Sequence, residues 1–289
     1  MKKEKMFELF DFGVKCANNL GLHNENKYLC PLCRKPFTKE DIQNGKLTIE
    51  HVPQDKIGGH ELVLTCKYCN TERFSSIDNN LIQYHKKLDI MSALKGEKEI
   101  KNQVIQLESN SIKVNALSSR GSNYFDIFPD EKHNNLSNLK KFDSIIEKEN
   151  LNINIRTKIK YSERLSQIAE LKNAYLFSFT QFGYSYIFEE KHEIIFNQLL
   201  YPLEQIINGF YFDKTENEDN MKGIYIIKKP FKFIFVYMEK CKIALPWFQD
   251  AQNLYTFLNN HYRDNSILNC EIENDVPLPD KMMMSLDIK

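Results

Sequence analysis

Cys30-Pro31-Leu32-Cys33, then Glu50-His51, then Gly58-Gly59, then Cys66-Lys67-Tyr68-Cys69-Asn70: this stretch organises the chain. Two C-x2-C pairs bracket an acidic residue joined to a histidine, and an asparagine follows the last cysteine directly. Two intervening residues let both thiolates of a pair turn toward one ion, and two pairs supply the four sulfurs that tetrahedral zinc prefers. Four unrelated buried thiols are the plainer alternative, but free cysteines have no reason to fall in matched pairs. Cys30, Cys33, Cys66 and Cys69 are therefore expected to hold a structural zinc ion, Zn2+.

Between the pairs, Lys46-Leu47-Thr48-Ile49-Glu50-His51 alternates as a strand does, and Leu62-Val63-Leu64-Thr65 is a second short apolar strand. Gly58-Gly59 supplies backbone freedom in the loop that joins them. Asn70 then opens a helix expected to run through Tyr84, with Phe74, Ile77 and Leu81 three or four apart on one face. The order is strand, strand, helix, which lets Glu50, His51 and Asn70 meet over one phosphate.

These residues resemble a known family. Glu50-His51-Val52-Pro53, Gly58-Gly59 and Leu62-Val63-Leu64-Thr65-Cys66-Lys67-Tyr68-Cys69-Asn70 look like the zinc-bearing branch of the HNH endonucleases, whose fold is the ββα-metal motif. The resemblance implies that His51 is the general base, that Glu50 binds the catalytic metal and that Asn70 is a second ligand of that metal. Three positions depart from the pattern. Pro53 comes one residue early, Gln54 standing where the proline is usual; His60 and Glu61 replace the middle asparagine; and Phe74 stands where a small residue is common.

The chemistry also follows from the residue types. Phosphodiester cleavage needs a water deprotonated near neutral pH, and imidazole is the side chain whose ordinary pKa suits that task. A divalent ion, Mg2+ or Mn2+, held by a carboxylate and an amide oxygen stabilises the leaving oxygen and leaves positions for phosphate and water. The four cysteines are then structural, since a closed sulfur site has no open position. In the plainer reading His51 merely packs beside a zinc ribbon.

The whole chain has 289 residues, 42% of them hydrophobic, enough for a real core. The expected fold class is α+β: an N-terminal zinc-stapled ββα-metal (HNH) module over residues 1–90, its core at 28–80, followed by a mixed α+β accessory or target-recognition domain over 91–289. No run of eighteen apolar residues appears and the amino terminus lacks a signal peptide's apolar core, so a cytoplasmic protein with no membrane partner is expected. Cys16, Cys241 and Cys270 lie scattered and are expected to be reduced.

Thirty-nine basic residues balance thirty-nine acidic ones, so any grip on nucleic acid must be local. Lys56, Lys67 and Arg73 are the candidates for nucleic-acid binding, with Arg34, Lys35, Lys39 and Lys46 around them; a solvated basic face is the plainer alternative. DNA is the expected partner, with RNA as a further substrate class and a regulatory or targeting protein engaged through residues 91–289. Stand-alone nucleases of this kind resemble components of restriction, phage-defence or mobile-element systems. A non-catalytic zinc-stapled module that binds nucleic acid or protein is the alternative function.

Elsewhere the patterns are structural. Residues 1–27 read as an amphipathic lead-in. Strands are expected at Val104–Leu107 and Ile112–Ala116 with a turn at Ser109–Ser111, a loop-rich stretch over 118–144, and a strand at Ile153–Ile159. Ser162 caps a helix from Glu163 to Phe182 that Gly183 ends, and a second helix spans about 189 to 207, bent near Pro202. The aromatic run from Leu171 to Tyr186 reads as core rather than a base-stacking platform. After an acidic loop at Asp213–Asn220, strands are expected at Gly223–Ile227, Phe231–Met238 and Cys241–Trp247, a helix at Leu254–Tyr262, and a loosely ordered tail from Glu271.

Overall fold

Met6, Phe10, Val14 and Ala17, three or four apart, form the buried stripe of helix α1 (Lys2–Asn19), the spacing that keeps apolar side chains on one helix face. The computed structural model describes residues 2–22, 26–94, 100–107, 112–118, 121, 126–129, 131–132, 134–146, 159–213, 221–247, 251–263 and 268–285, and shows mixed helix and strand. Strands β1 (Tyr28–Leu29) and β2 (Pro36–Phe37) make a short antiparallel hairpin whose turn carries Cys30 and Cys33. After α2 (Lys39–Gln43) come β3 (Leu47–Val52) and β4 (His60–Cys66), also antiparallel. A π-helical segment, Tyr68–Arg73, leads into α3 (Ser75–Leu94), so helix starts before Asn70 and continues well past Tyr84. Phe74, Ile77 and Leu81 are buried as the spacing requires.

The chain divides into two compact units, Gln83–Tyr161 and the combination of Met1–Ile82 with Ser162–Lys289. Within the first, β5 (Ile100–Leu107), β6 (Ile112–Ser118) and β7 (Asp126–Pro129) form an antiparallel sheet in that order, joined by α4 (Leu136–Ile146). The loop-rich expectation for 118–144 is corrected by β7 and α4. Leu136, Leu139, Phe142 and Ile146 recur at helical spacing inside a polar stretch, and Phe142 is buried. The turn at 109–111, the acidic loop at 214–220 and all but the last residue of the expected strand at 153–159 lie outside the described residues.

The second unit is built on α5 (Glu163–Phe182). The Ser162 hydroxyl accepts the Leu165 N–H at its start, and Gly183, at φ 75°, ends it. Every residue from Ile168 to Phe182 is buried, the signature of a helix enclosed on all sides. It packs against both the β3–β4 hairpin and two strands of the carboxy-terminal sheet, β10 (Phe233–Tyr237) and β11 (Cys241–Pro246). This is why residues 162–289 share a unit with the cysteine-bearing segment and not with 91–161. The aromatic run along α5 is core.

The expected helix over 189–207 is instead α6 (Tyr184–Ile187), a 3-10 turn at Glu190–His192, and α7 (Glu193–Leu200). Pro202 explains the stop: the residue before a proline is pushed out of the helical region, and Tyr201 stands at φ −120°, ψ 66°. Gln198 then satisfies the irregular chain that follows, its side-chain oxygen accepting the Ile206 and Ile207 N–H groups and its nitrogen donating to the Glu204 carbonyl. The sheet runs β12-β9-β10-β11-β8, all antiparallel, with β8 (Tyr211–Asp213), β9 (Gly223–Lys229) and β12 (Glu271–Val276), and α8 (Ala251–Arg263) packs against β11. From Glu271 to Ser285 the tail is thus ordered: β12 pairs with β9, and Met283, Met284 and Ser285 donate N–H groups to the last carbonyls of α5 at Thr180 and Gln181.

Candidate functional site

The four cysteine sulfurs of Cys30, Cys33, Cys66 and Cys69 all lie within 4.8 Å of one another, and those of Cys33 and Cys66 are 3.7 Å apart. Zinc–sulfur bonds of about 2.3 Å in a tetrahedron give sulfur–sulfur edges of about 3.8 Å, so the quartet is placed to hold a metal ion such as zinc. The first pair sits in the β1–β2 turn, where the Cys33 and Arg34 N–H groups donate to the Cys30 carbonyl. The second spans the end of β4 and the start of the π-helical segment. The Cys66 N–H points at the Cys30 sulfur at 3.3 Å, and the Cys69 N–H at that of Cys66 at 3.4 Å, donors that stabilise thiolates. Burial pushes the Cys30 thiol up, whereas a hydrogen bond from Cys30 brings the Cys66 thiol down. A shared cation is what lets all four ionise together. Among the described residues no other group of three or more His, Cys, Asp or Glu side chains converges in this way.

Elements from the far end of the chain fasten the first cysteine turn. Tyr184 contacts both polar backbone groups of Leu29: its hydroxyl donates to the Leu29 carbonyl at 2.8 Å and accepts the Leu29 N–H at 3.2 Å. The Tyr175 hydroxyl donates to the Pro31 carbonyl. Arg34 adopts φ +57°, a conformation uncommon for a side chain of this size. Its guanidinium lies 3.7 Å from the Phe196 ring, pairs with Glu193 at 2.6 Å and donates to the Ile187 carbonyl at 2.7 Å. These contacts hold the strained turn.

His51 lies near the end of β3, half-buried, opposite Glu61, and the strand register slips between Glu50 and His51. The loop beyond it is closed by the Gln54 carbonyl, which accepts the Ile57 and Gly59 N–H groups. Gly58 has φ +86°, and a Cβ on Gly59 would fall 1.5 Å from the Pro53 carbonyl oxygen, so both positions require glycine. Asn70 reaches back to the same strand: its amide nitrogen donates to the Thr48 hydroxyl at 3.1 Å and to the Ile49 carbonyl at 3.4 Å. The helical turn after the last cysteine is thereby tied to β3 beside Glu50.

Glu50 itself is turned inward and is 3% exposed. One oxygen accepts from Lys172 of α5 at 2.7 Å and the other from the Thr65 hydroxyl at 3.3 Å. Lys172, which is 0% exposed, also meets Asp78 at 2.7 Å, and Gln54 donates to the second oxygen of Asp78 at 2.6 Å. Burial alone would lower the Lys172 pKa, but Glu50 and Asp78 outweigh it and hold the ammonium above its ordinary range. Burial raises Asp78 to about 6 against the opposing pull of Lys172. The expected role of Glu50 as ligand of a Mg2+ or Mn2+ ion does not fit this arrangement. A carboxylate closed off from water and bonded to an ammonium has no face left for an exchangeable hydrated ion.

The expected phosphate-binding residues separate. Lys56 and Lys67 are exposed. Arg73 is half-buried against the cysteine quartet, donating to the Cys69 sulfur at 3.5 Å and to the Leu32 carbonyl at 3.4 Å. Its positive charge there complements thiolates. Of the surrounding basic residues, Lys39 pairs with Asp11 and Lys46 with Asp41. Asp78 and Lys172 carry no site role in the sequence pattern, and Gln54 enters it only as the residue that stands where a proline is usual. The available signal was a charged residue on each of two buried helix faces, Asp78 between Phe74 and Leu81 and Lys172 within the Leu171–Leu176 run, since such charges are almost never buried unless paired. Comparison of the chain with protein-family models, curated proteins and solved structures returns no match.

Proposed function

We propose that the protein is an endonuclease of the HNH type that hydrolyses phosphodiester bonds of DNA, with His51 as general base and a structural zinc ion on Cys30, Cys33, Cys66 and Cys69. The observation that supports this reading most is the tie from Asn70 to β3, which joins the turn after the last cysteine to the strand that carries Glu50-His51. An imidazole at that position takes a proton from water and keeps it on a ring nitrogen, and the exposed Lys56 and Lys67 are available to neighbouring phosphates. The resemblance also implies Mg2+ or Mn2+; when bound, such an ion stabilises the leaving oxygen. Glu50 is not assigned to it.

A second reading, a zinc-stapled module that binds nucleic acid or protein without cutting, is favoured by the burial of Glu50 on Lys172. Plasmid and RNA cleavage by zinc-loaded protein with added Mg2+ or Mn2+ separates the two. Cleavage should occur, and His51→Ala should slow it by about a hundred- to ten-thousand-fold with little change in DNA affinity. Binding without cleavage under both ions, or cleavage undiminished in His51→Ala, leaves His51 as a packing residue.

A further inference from the structure

Glu50 on β3 and Asp78 on α3 direct one carboxylate oxygen each at the Lys172 nitrogen, both at 2.7 Å. The outer oxygens are satisfied by Thr65 and Gln54, and the Phe74 ring stands 5.1 Å from the nitrogen. Two carboxylates from separate elements aimed at one enclosed point are a donor set that a hard divalent cation takes. Here an ammonium occupies the point. It cannot leave without exposing two buried charges to each other, and a second cation cannot join it without strong like-charge repulsion in a dry site.

We propose that Lys172 is the built-in cation of a latent divalent-ion site: its ammonium keeps the Glu50–Asp78 pair shut, and removing that charge opens the pair to Mg2+ or Mn2+. Glu50 accordingly fastens β3 to α5, whether or not the chain cuts nucleic acid.

The test uses full-length zinc-loaded protein with Mn2+ as the probe, read by electron paramagnetic resonance and thermal unfolding. Lys172→Met retains a long apolar stem without the charge. With Mn2+ at about a hundredfold excess over its Kd, Tm of this variant should rise by about 5 °C, and the rise should vanish in Lys172→Met/Glu50→Gln. The Mn2+ titration of the wild type should be the same as that of Glu50→Gln. Wild-type Mn2+ binding that disappears in Glu50→Gln overturns the proposal, as does a folded Lys172→Met protein indifferent to Mn2+. Folding of Lys172→Met only when Mn2+ is present supports it; if that variant folds under neither condition, the comparison of wild type with Glu50→Gln decides. No readout here depends on cleavage, so failure of this proposal is distinct from failure of the nuclease reading.

Discussion

Asp78 lies on the buried face of α3, with Lys172, Glu50 and Gln54 as its charged and polar neighbours. Burial lifts its carboxyl from an ordinary 3.8 to about 6. A pKa raised on folding means that the folded state binds this proton more tightly. The resulting stability is present in full below about pH 4 and is lost as pH climbs through 6. Asp78→Asn imitates the protonated form and leaves Glu50 to neutralise Lys172. It should therefore be more stable than wild type at pH 8, by on the order of 3 kcal/mol at most, with the gap closing toward pH 4. Urea unfolding of both proteins across that range measures this, and an asparagine variant weaker than wild type at pH 8 would show that Lys172 needs both anions. Glu50 illustrates what a sequence hides at this scale. Alternation along β3 marks a strand, but the register slip after Glu50 and a lysine 122 residues away fix where its carboxylate goes.

At the scale of elements, the β3–β4 loop and the first cysteine turn rest on backbone geometry that particular residues permit. Gly59→Ala would drive a Cβ into the Pro53 carbonyl, which is backbone and cannot swing aside. A loss of about 2–4 kcal/mol is expected for a forced backbone shift of this kind. Denaturant melts of zinc-loaded protein check it, and a loss below about 0.5 kcal/mol would mean that the loop relaxes freely. Arg34→Ala removes the Phe196 stack and the Glu193 and Ile187 contacts while keeping a side chain at positive φ. It should cost about 2 kcal/mol, most of it from packing and the carbonyl bond, since Glu193 is about half exposed. A parallel rise in the rate of zinc release to a chelator would place the effect at the cysteine turn. The two C-x2-C pairs were legible because tetrahedral ligation requires local spacing. Arg34, which resembled a phosphate contact by charge, is committed to α6 and α7 by contacts that no local pattern encodes.

Across the whole molecule, the cysteine-bearing segment and α5 belong to one compact unit. Lys172, Tyr175, Tyr184 and Glu193 reach into it from sequence positions far beyond its last cysteine. A fragment of residues 1–90 with zinc should therefore lack cooperative unfolding and dispersed amide resonances, while the full chain shows both. A well-dispersed spectrum from the fragment would mean that the metal and the local core suffice. The described residues contain no helix long and apolar enough to cross a membrane. Periodicity and spacing in the chain already specified the strands β3, β4, β9, β10 and β11, the capped helix α5, the aromatic core along it and the cysteine quartet. Each of these depends on neighbours close in sequence: alternation, helical repeat, a cap, or a two-residue gap between ligands. The partner of Glu50, the role of Arg34, the pairing of β12 and the union of α5 with the cysteine turns needed the folded chain. They depend on which buried charges and rings meet after the long loops close, and burial permits a charge only where a distant opposite charge arrives to meet it.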